Sequence, residues 1–296
     1  MRAVHRRLDE PTGVTLDPTR AEQDRQSLAS ALRDLRVATG LSGDRLARRC
    51  GMSQSKVSRI ETGRLLPSVV DVEQMLNALG VEQTTRCELL RLARLANVEY
   101  QDVRASVRRG LHHRQRELAA LEVSATRMRH FLPALITGLL QTAEYMQAAM
   151  STPVEPAAGE VARAIALKIE RQAVLQDETK NFEFLLTESA TRWQLCPPPL
   201  MAAQIDRLVS LSRLPNVRIG VLPLSAVVPN GPYHTFVTYD RRLVTIELFS
   251  GRLVLREPKD IDYYRALFDF FSTRALWVDQ ARSFLRGLAT EFRAVE

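Results

Sequence analysis

From residue 28 onward the apolar positions recur at helical spacing. Leu28, Leu32, Leu35 and Ala38 share one face of a helix predicted over residues 27–39, which Gly40 ends. Leu46, Ala47 and Cys50 form a second stripe. Gly51 then breaks the helix, because the left-handed backbone of such a turn suits glycine. Ser53 stands where it would cap a third helix with Val57 and Ile60 inside and Gln54, Ser55, Lys56, Ser58 and Arg59 outside. Pro67 and Ser68 open a fourth, with Val72, Met75, Leu76 and Leu79 inward and Gly80 as its stop. A fifth runs over about residues 84–96, carrying Leu89, Leu90, Leu92, Ala93 and Leu95. These helices predict a small all-α domain over residues 27–97.

Ahead of it, residues 1–26 are polar and mixed in charge, with Pro11, Gly13 and Pro18, and read as a disordered arm. Arg2, Arg6 and Arg7 would suit a nucleic-acid groove, but an unstructured leader is the plainer reading. Behind it, residues 98–130 are rich in arginine, including Arg104, Arg108, Arg109 and Arg114, with Gly110 as an interruption. Leu118, Leu121, Ala125 and Met128 place an amphipathic helix from Leu111 onward, read as a connecting segment. Residues 131–145 are kept irregular by Pro133 and Gly138, and Thr142 is set to cap a short helix. After a helix over 160–176 the period changes. Residues 182–187, 217–222, 234–239, 243–249 and 252–255 are short β-branched or aromatic runs bounded by Pro, Gly and Asn. They predict strands, with residues 240–242 and 250–251 as tight turns. Helices are expected over 200–214, 261–275 and 278–294. The fold class is α+β: an all-α five-helix domain, then a mixed domain over 131–296 with a largely antiparallel sheet.

Composition narrows the function. The chain has 296 residues, a formal net charge of +7 and a pI of about 9.7. Residues 28–98 hold 11 Lys and Arg against 7 Asp and Glu, an excess that favours contact with phosphate. Cys50, Cys87 and Cys196 are odd in number and widely spaced, which fits buried, reduced thiols better than a disulfide framework or a zinc site. His112 and His113 are adjacent, so on a helix they point apart, and no metal is expected. With no signal-peptide core and no membrane-length apolar run, the expected compartment is the cytoplasm.

Residues 28–79 resemble the helix-turn-helix of Cro/cI-like, XRE-type transcriptional regulators. The resemblance rests on Leu35-Arg36, Gly40-Leu41, Leu46-Ala47, Gly51 with Ser53, and Ile60-Glu61 with Gly63 and Pro67. It implies a buried ion pair between Arg36 and Glu61. It also implies base-edge contacts from Gln54, Ser55, Lys56 and Arg59, with phosphate contacts from Ser42, Arg45, Ser53 and Arg64. Where the family often has Gln opening helix 2, this chain has Gly43, so that phosphate contact passes to Ser42 or Arg45.

Residues 138–145 (GLLQTAEY), Arg171-Gln172 with Leu175, Pro229-Asn230-Gly231 and Ile246-Glu247 resemble the large C-terminal domain of actinobacterial WhiJ-like regulators. That resemblance implies a domain that binds a small partner protein, encoded nearby, or a small ligand. Gln141, Arg171, Gln172, Glu188 and Glu247 are its candidate pocket. A strand-borne Glu with an Arg also fits an ADP-ribosyltransferase-like or NAD-binding domain. There is no Gly-rich phosphate loop, metal cluster or nucleophile elbow, so neither catalysis nor a cofactor is expected. The expectation is a homodimeric repressor on a double-stranded DNA operator. The helix over 111–128 and the last two helices are its candidate dimer surfaces.

Overall fold

The computed structural model describes residues 18–102, 111–150 and 158–295. Arg2, Arg6, Arg7, Arg104, Arg108 and Arg109, and the side chains of His112, His113 and Arg114, lie outside the described residues. The chain divides into two compact units between Tyr100 and Gln101.

The first unit is helical: α1 (Pro18–Ala38), α2 (Gly43–Cys50), α3 (Gln54–Glu61), α4 (Val69–Leu79) and α5 (Gln83–Ala96). Helix α1 starts at Pro18, inside the stretch read as an arm. Proline suits a first helical turn, where its missing N–H would have no intrahelical partner. The following Ala, Glu, Gln and Arg form helix well without leaving an apolar stripe to read. Leu28, Leu32, Leu46, Val57, Ile60, Val72, Met75 and Ala93 are fully buried together in one core. Asn97, just past α5, donates from Nδ2 to Pro67 O at 2.9 Å, tying the end of that helix to the loop before α4. Cys50 is buried, as expected, but Cys87 is exposed on α5, where Gln83 Nε2 lies 3.7 Å from its sulfur.

The second unit takes in most of the stretch read as a connector. Strand β1 (Val98–Asp102) is followed by α6 (Leu111–Ser124) and β2 (Arg127–Leu132). Helices α7 (Ala143–Ala149) and α8 (Ala158–Arg171) come next, with a 3-10 turn over Gln172–Gln176. Then come β3 (Asn181–Thr187), α9 (Glu188–Arg192), α10 (Pro198–Leu211), β4 (Val217–Leu222), β5 (Phe236–Tyr239), β6 (Leu243–Glu247) and β7 (Gly251–Leu255). Helices α11 (Pro258–Ser272) and α12 (Val278–Arg293) end the unit. The seven strands form one sheet in the order β1-β7-β6-β5-β2-β3-β4. Pairs β2–β5, β5–β6 and β6–β7 are antiparallel, whereas β2–β3 and β3–β4 are parallel.

Strand β2 stands where the sequence pattern extends a helix to Met128 and leaves residues 131–145 irregular. Its alternation is disguised by charge. Arg127 and Arg129 project on one side and donate to Glu183 of β3 at 2.9 and 2.7 Å, joined by Arg218 of β4 at 3.0 Å. Burial pushes the Glu183 carboxyl up, but these bonds outweigh it and hold its pKa below the usual range. Phe131, on the same side, stacks on Phe236 and on Phe271 of α11, with centroids 5.2 and 4.6 Å apart. On the opposite face, register aligns Ile219, Phe184, His130, Val237, Thr245 and Val254 across five neighbouring strand pairs. That face joins Ile136, Leu140, Ile205, Leu208, Leu285 and Leu288 in the main core.

The apolar faces offered for a dimer are largely consumed inside this unit. Ala125 and Met128, together with Phe268 and Phe271 of α11 and Leu285, Leu288 and Ala289 of α12, are buried within it.

Candidate nucleic-acid interface

The turn between α2 and α3 is built by local hydrogen bonds. Ser42 caps α2, its side chain accepting from Arg45 N at 3.3 Å. Gly51 ends that helix at φ 65°, its N–H turned toward Ala47 O and Arg48 O. Met52 N then donates to Ala47 O at 2.9 Å. Ser53 caps α3 by accepting from Lys56 N at 3.2 Å, and its hydroxyl lies 3.1 Å from that of Ser55.

Helix α3 has two unlike sides. Val57 and Ile60 are fully buried, whereas Gln54, Ser55, Ser58 and Arg59 are exposed. Its C-terminal end is clamped to α1: Arg36 Nε and Nη2 donate to the two Glu61 oxygens at 2.6 and 2.8 Å, and Nη1 donates to Leu41 O at 2.9 Å. The hydrogen bond from Glu61 raises the Arg36 pKa. A bidentate fork of this kind fixes orientation as well as distance.

The N-terminal end of α3 is clamped as well, through a residue the sequence pattern did not single out. Lys56 Nζ lies 2.6 Å from Asp71 Oδ1. The other Asp71 oxygen accepts from Ser68 N at 3.2 Å and Ser68 Oγ accepts from Asp71 N at 3.1 Å, closing a capping box on α4. Ser68 with Asp71 three residues on is a legible capping signature; the reach to Lys56 is not. Lys56, expected at base edges, is thus held half-buried against α4. Arg45, Arg59 and Arg64 are exposed, and among the described residues no carboxylate pairs with them. Arg48, by contrast, pairs with Asp44. The interface therefore offers the exposed side of α3, flanked by three cations and by the Ser42 and Ser53 caps.

The five pocket residues expected in the second unit do different things. Gln141 Nε2 donates to Ile136 O at 2.7 Å. Gln172 Nε2 donates to Gly138 O and Gln141 O, and its oxygen accepts from Arg207. These two brace the 136–142 loop. Glu188 caps no pocket: it accepts from Arg192 Nε at 2.6 Å and from Leu224 N at 2.9 Å, at the end of β3. Arg171 and Glu247 belong to a buried polar cluster. Arg171 Nε lies 3.1 Å from Glu122 Oε2 and its Nη1 donates to Gln115 Oε1 at 2.6 Å, while Glu247 accepts from Arg252 Nε at 2.8 Å. Glu122, His130 and Arg252 went unread in the sequence because each sits singly in an otherwise apolar or basic run.

Residues 27–89 match the family described as a helix-turn-helix domain, and the first unit is a DNA-binding domain of that kind. Residues 115–287 match the family described as domain of unknown function DUF5753. No curated protein matches the chain. Among solved structures it is similar to Nuc, a phospholipase D family member from Salmonella typhimurium, at 10% identity and TM-score 0.30, over 55% of this chain and 90% of that one. NucT from Helicobacter pylori matches at 12% identity and TM-score 0.30, over 56% and 94%. TrmBL2, an archaeal chromatin protein, matches at 11% identity and TM-score 0.31, over 70% and 66%. Because the second of the two family matches spans more than half of the sequence, the chain belongs to the DUF5753 family.

Proposed function

We propose that the protein is a sequence-specific transcriptional repressor that binds a near-palindromic operator as a homodimer, in the manner of the XRE-type regulators that residues 28–79 resemble. The observation that carries this reading is the recognition helix. Its inner side is sealed by Val57 and Ile60, its two ends are clamped by Arg36–Glu61 and Lys56–Asp71, and its outer side is open. A helix fixed this way can enter the major groove without reorganising, and a dimer sets two such helices one helical turn of DNA apart. Gln54, Ser55 and Arg59 face base edges; Arg45, Arg64 and the cap serines hold phosphates. The second unit receives the signal, a small partner protein or ligand, consistent with the WhiJ-like resemblance. Glu247, the carboxylate an ADP-ribosyl transfer would use, is engaged by Arg252, which favours a binding role.

Fluorescence anisotropy on duplex DNA from upstream of the gene, beside a scrambled duplex and over a salt series, tests the proposal. Tight binding to the native duplex alone, with a steep salt dependence, is the expected result. Equal binding to both duplexes at every salt concentration would overturn sequence-specific regulation at that site.

A further inference from the structure

The core face of the second-unit sheet carries a group of charged and polar side chains that its packing does not use up. His130 is 2% exposed, Glu122 2%, Arg252 3% and Thr245 1%. Buried polar atoms are almost always paired, and leaving one unpaired costs more than an apolar replacement would. Here both ring nitrogens of His130 and Nη2 of Arg252 have no hydrogen-bond partner. They share one face: Thr245 is two strands from His130 in the same cross-strand row, and Arg252 stands in the adjoining row opposite Glu247. Arg171 and Glu122 close the group from α8 and α6. The Phe184 ring, 4.6 Å from the imidazole, forms an apolar wall.

The open valences specify a ligand. Arg252 Nη2 can only donate, and a buried guanidinium calls for an anionic oxygen. Glu122 does not supply it, since its carboxylate lies between Arg171 and Arg252 and interacts with both. A neutral imidazole offers one N–H and one lone pair, so it requires an acceptor and a donor together. We propose that His130 and Arg252, with Arg171, Glu122 and Thr245 around them, bind a small oxyanion that bears its own hydroxyl, a hydroxycarboxylate or hydrogen phosphate. This rests on reading the second unit as the half that receives a signal. Its test is made without DNA, so its failure leaves the operator reading standing.

The full chain is titrated calorimetrically with inorganic phosphate, with lactate, and with acetate, which has the carboxylate but no hydroxyl. Binding of phosphate or of lactate is expected, and which one binds identifies the source. Acetate should bind at least about tenfold more weakly, the scale of one lost buried hydrogen bond. Arg252→Met and His130→Leu should each weaken the preferred probe by about tenfold or more. Should either variant fail to fold, the imidazole nitrogen NMR shifts of His130 in the wild-type chain must still move on adding that probe. No binding by phosphate or lactate, acetate binding equally well, unchanged affinity in folded variants, or unmoved His130 shifts would each overturn the proposal. So would a crystal structure grown with the probe that shows only water between these atoms.

Discussion

Lys56 and Arg59 lie three residues apart on the recognition helix and are expected to fail in different ways. Arg59 is exposed and unpaired by any carboxylate among the described residues, so its guanidinium is free to fork onto a base edge. Arg59→Ala should cost about 1–3 kcal/mol on the operator and relax the preference at one base pair. Competition anisotropy with single-base operator variants reads both effects, and unchanged affinity would show that the recognition face is misassigned. Lys56 is spent on Asp71 with its side chain 38% exposed. Lys56→Met should therefore cost at most about 1 kcal/mol of folding stability and weaken all duplexes alike. A base-specific loss in that variant would restore Lys56 to the base edges. Sequence spacing placed both residues on the outer side of α3, because helical period is a local property. It could not show that Asp71 lies within reach of Lys56, because that meeting is made by the packing of α4.

At the scale of elements, two glycines separate backbone strain from steric clash. Gly51 needs φ 65° to turn α2 into α3, yet a Cβ there would meet nothing within 4 Å. Gly51→Ala should thus cost roughly 1–2 kcal/mol from the left-handed backbone alone, and thermal melting of the variant should show Asn costing less than Ala. Gly220 on β4 is the reverse case. Its backbone is unremarkable, but a Cβ would lie 2.8 Å from the Trp277 ring. Gly220→Ala should cost about 1–3 kcal/mol by overpacking and should shift Trp277 fluorescence; a variant as stable as wild type would mean the ring can yield. The helices of the first unit and strands β3 to β7 were legible because each carries an uninterrupted period of its own. Strand β2 was not. Its Arg127 and Arg129 look like solvent positions until Glu183 and Arg218 are brought beside them by β3 and β4.

The whole second unit should carry an opposed pair of pH dependences within one cluster. Burial first, and then Arg171, hold the His130 imidazole down at about 3, against an ordinary 6.5. Burial pushes Glu122 up to about 7 from 4.5, against the pull of Arg171 and Arg252. His130 stays neutral in the fold while the unfolded chain takes up a proton below 6.5, so its contribution is lost as pH falls through that window. Glu122 keeps its proton in the fold while the unfolded chain releases it above 4.5, so its contribution is lost as pH rises toward 7. Each slope approaches about 1.4 kcal/mol per pH unit, and between roughly pH 4.5 and 6.5 they have opposite signs. Wild-type stability should therefore carry little net dependence from this pair. Glu122→Gln should leave the histidine slope uncovered and lose about 1–2 kcal/mol more than wild type between pH 6.5 and 5. His130→Phe should gain by a similar amount over the same interval. Urea denaturation followed by tryptophan emission isolates the effect, since Trp193 and Trp277 both lie in the second unit. Parallel pH profiles in all three proteins would mean that these two groups titrate in the fold as they do in the unfolded chain, and that the core face of the sheet is wetter than its burial implies.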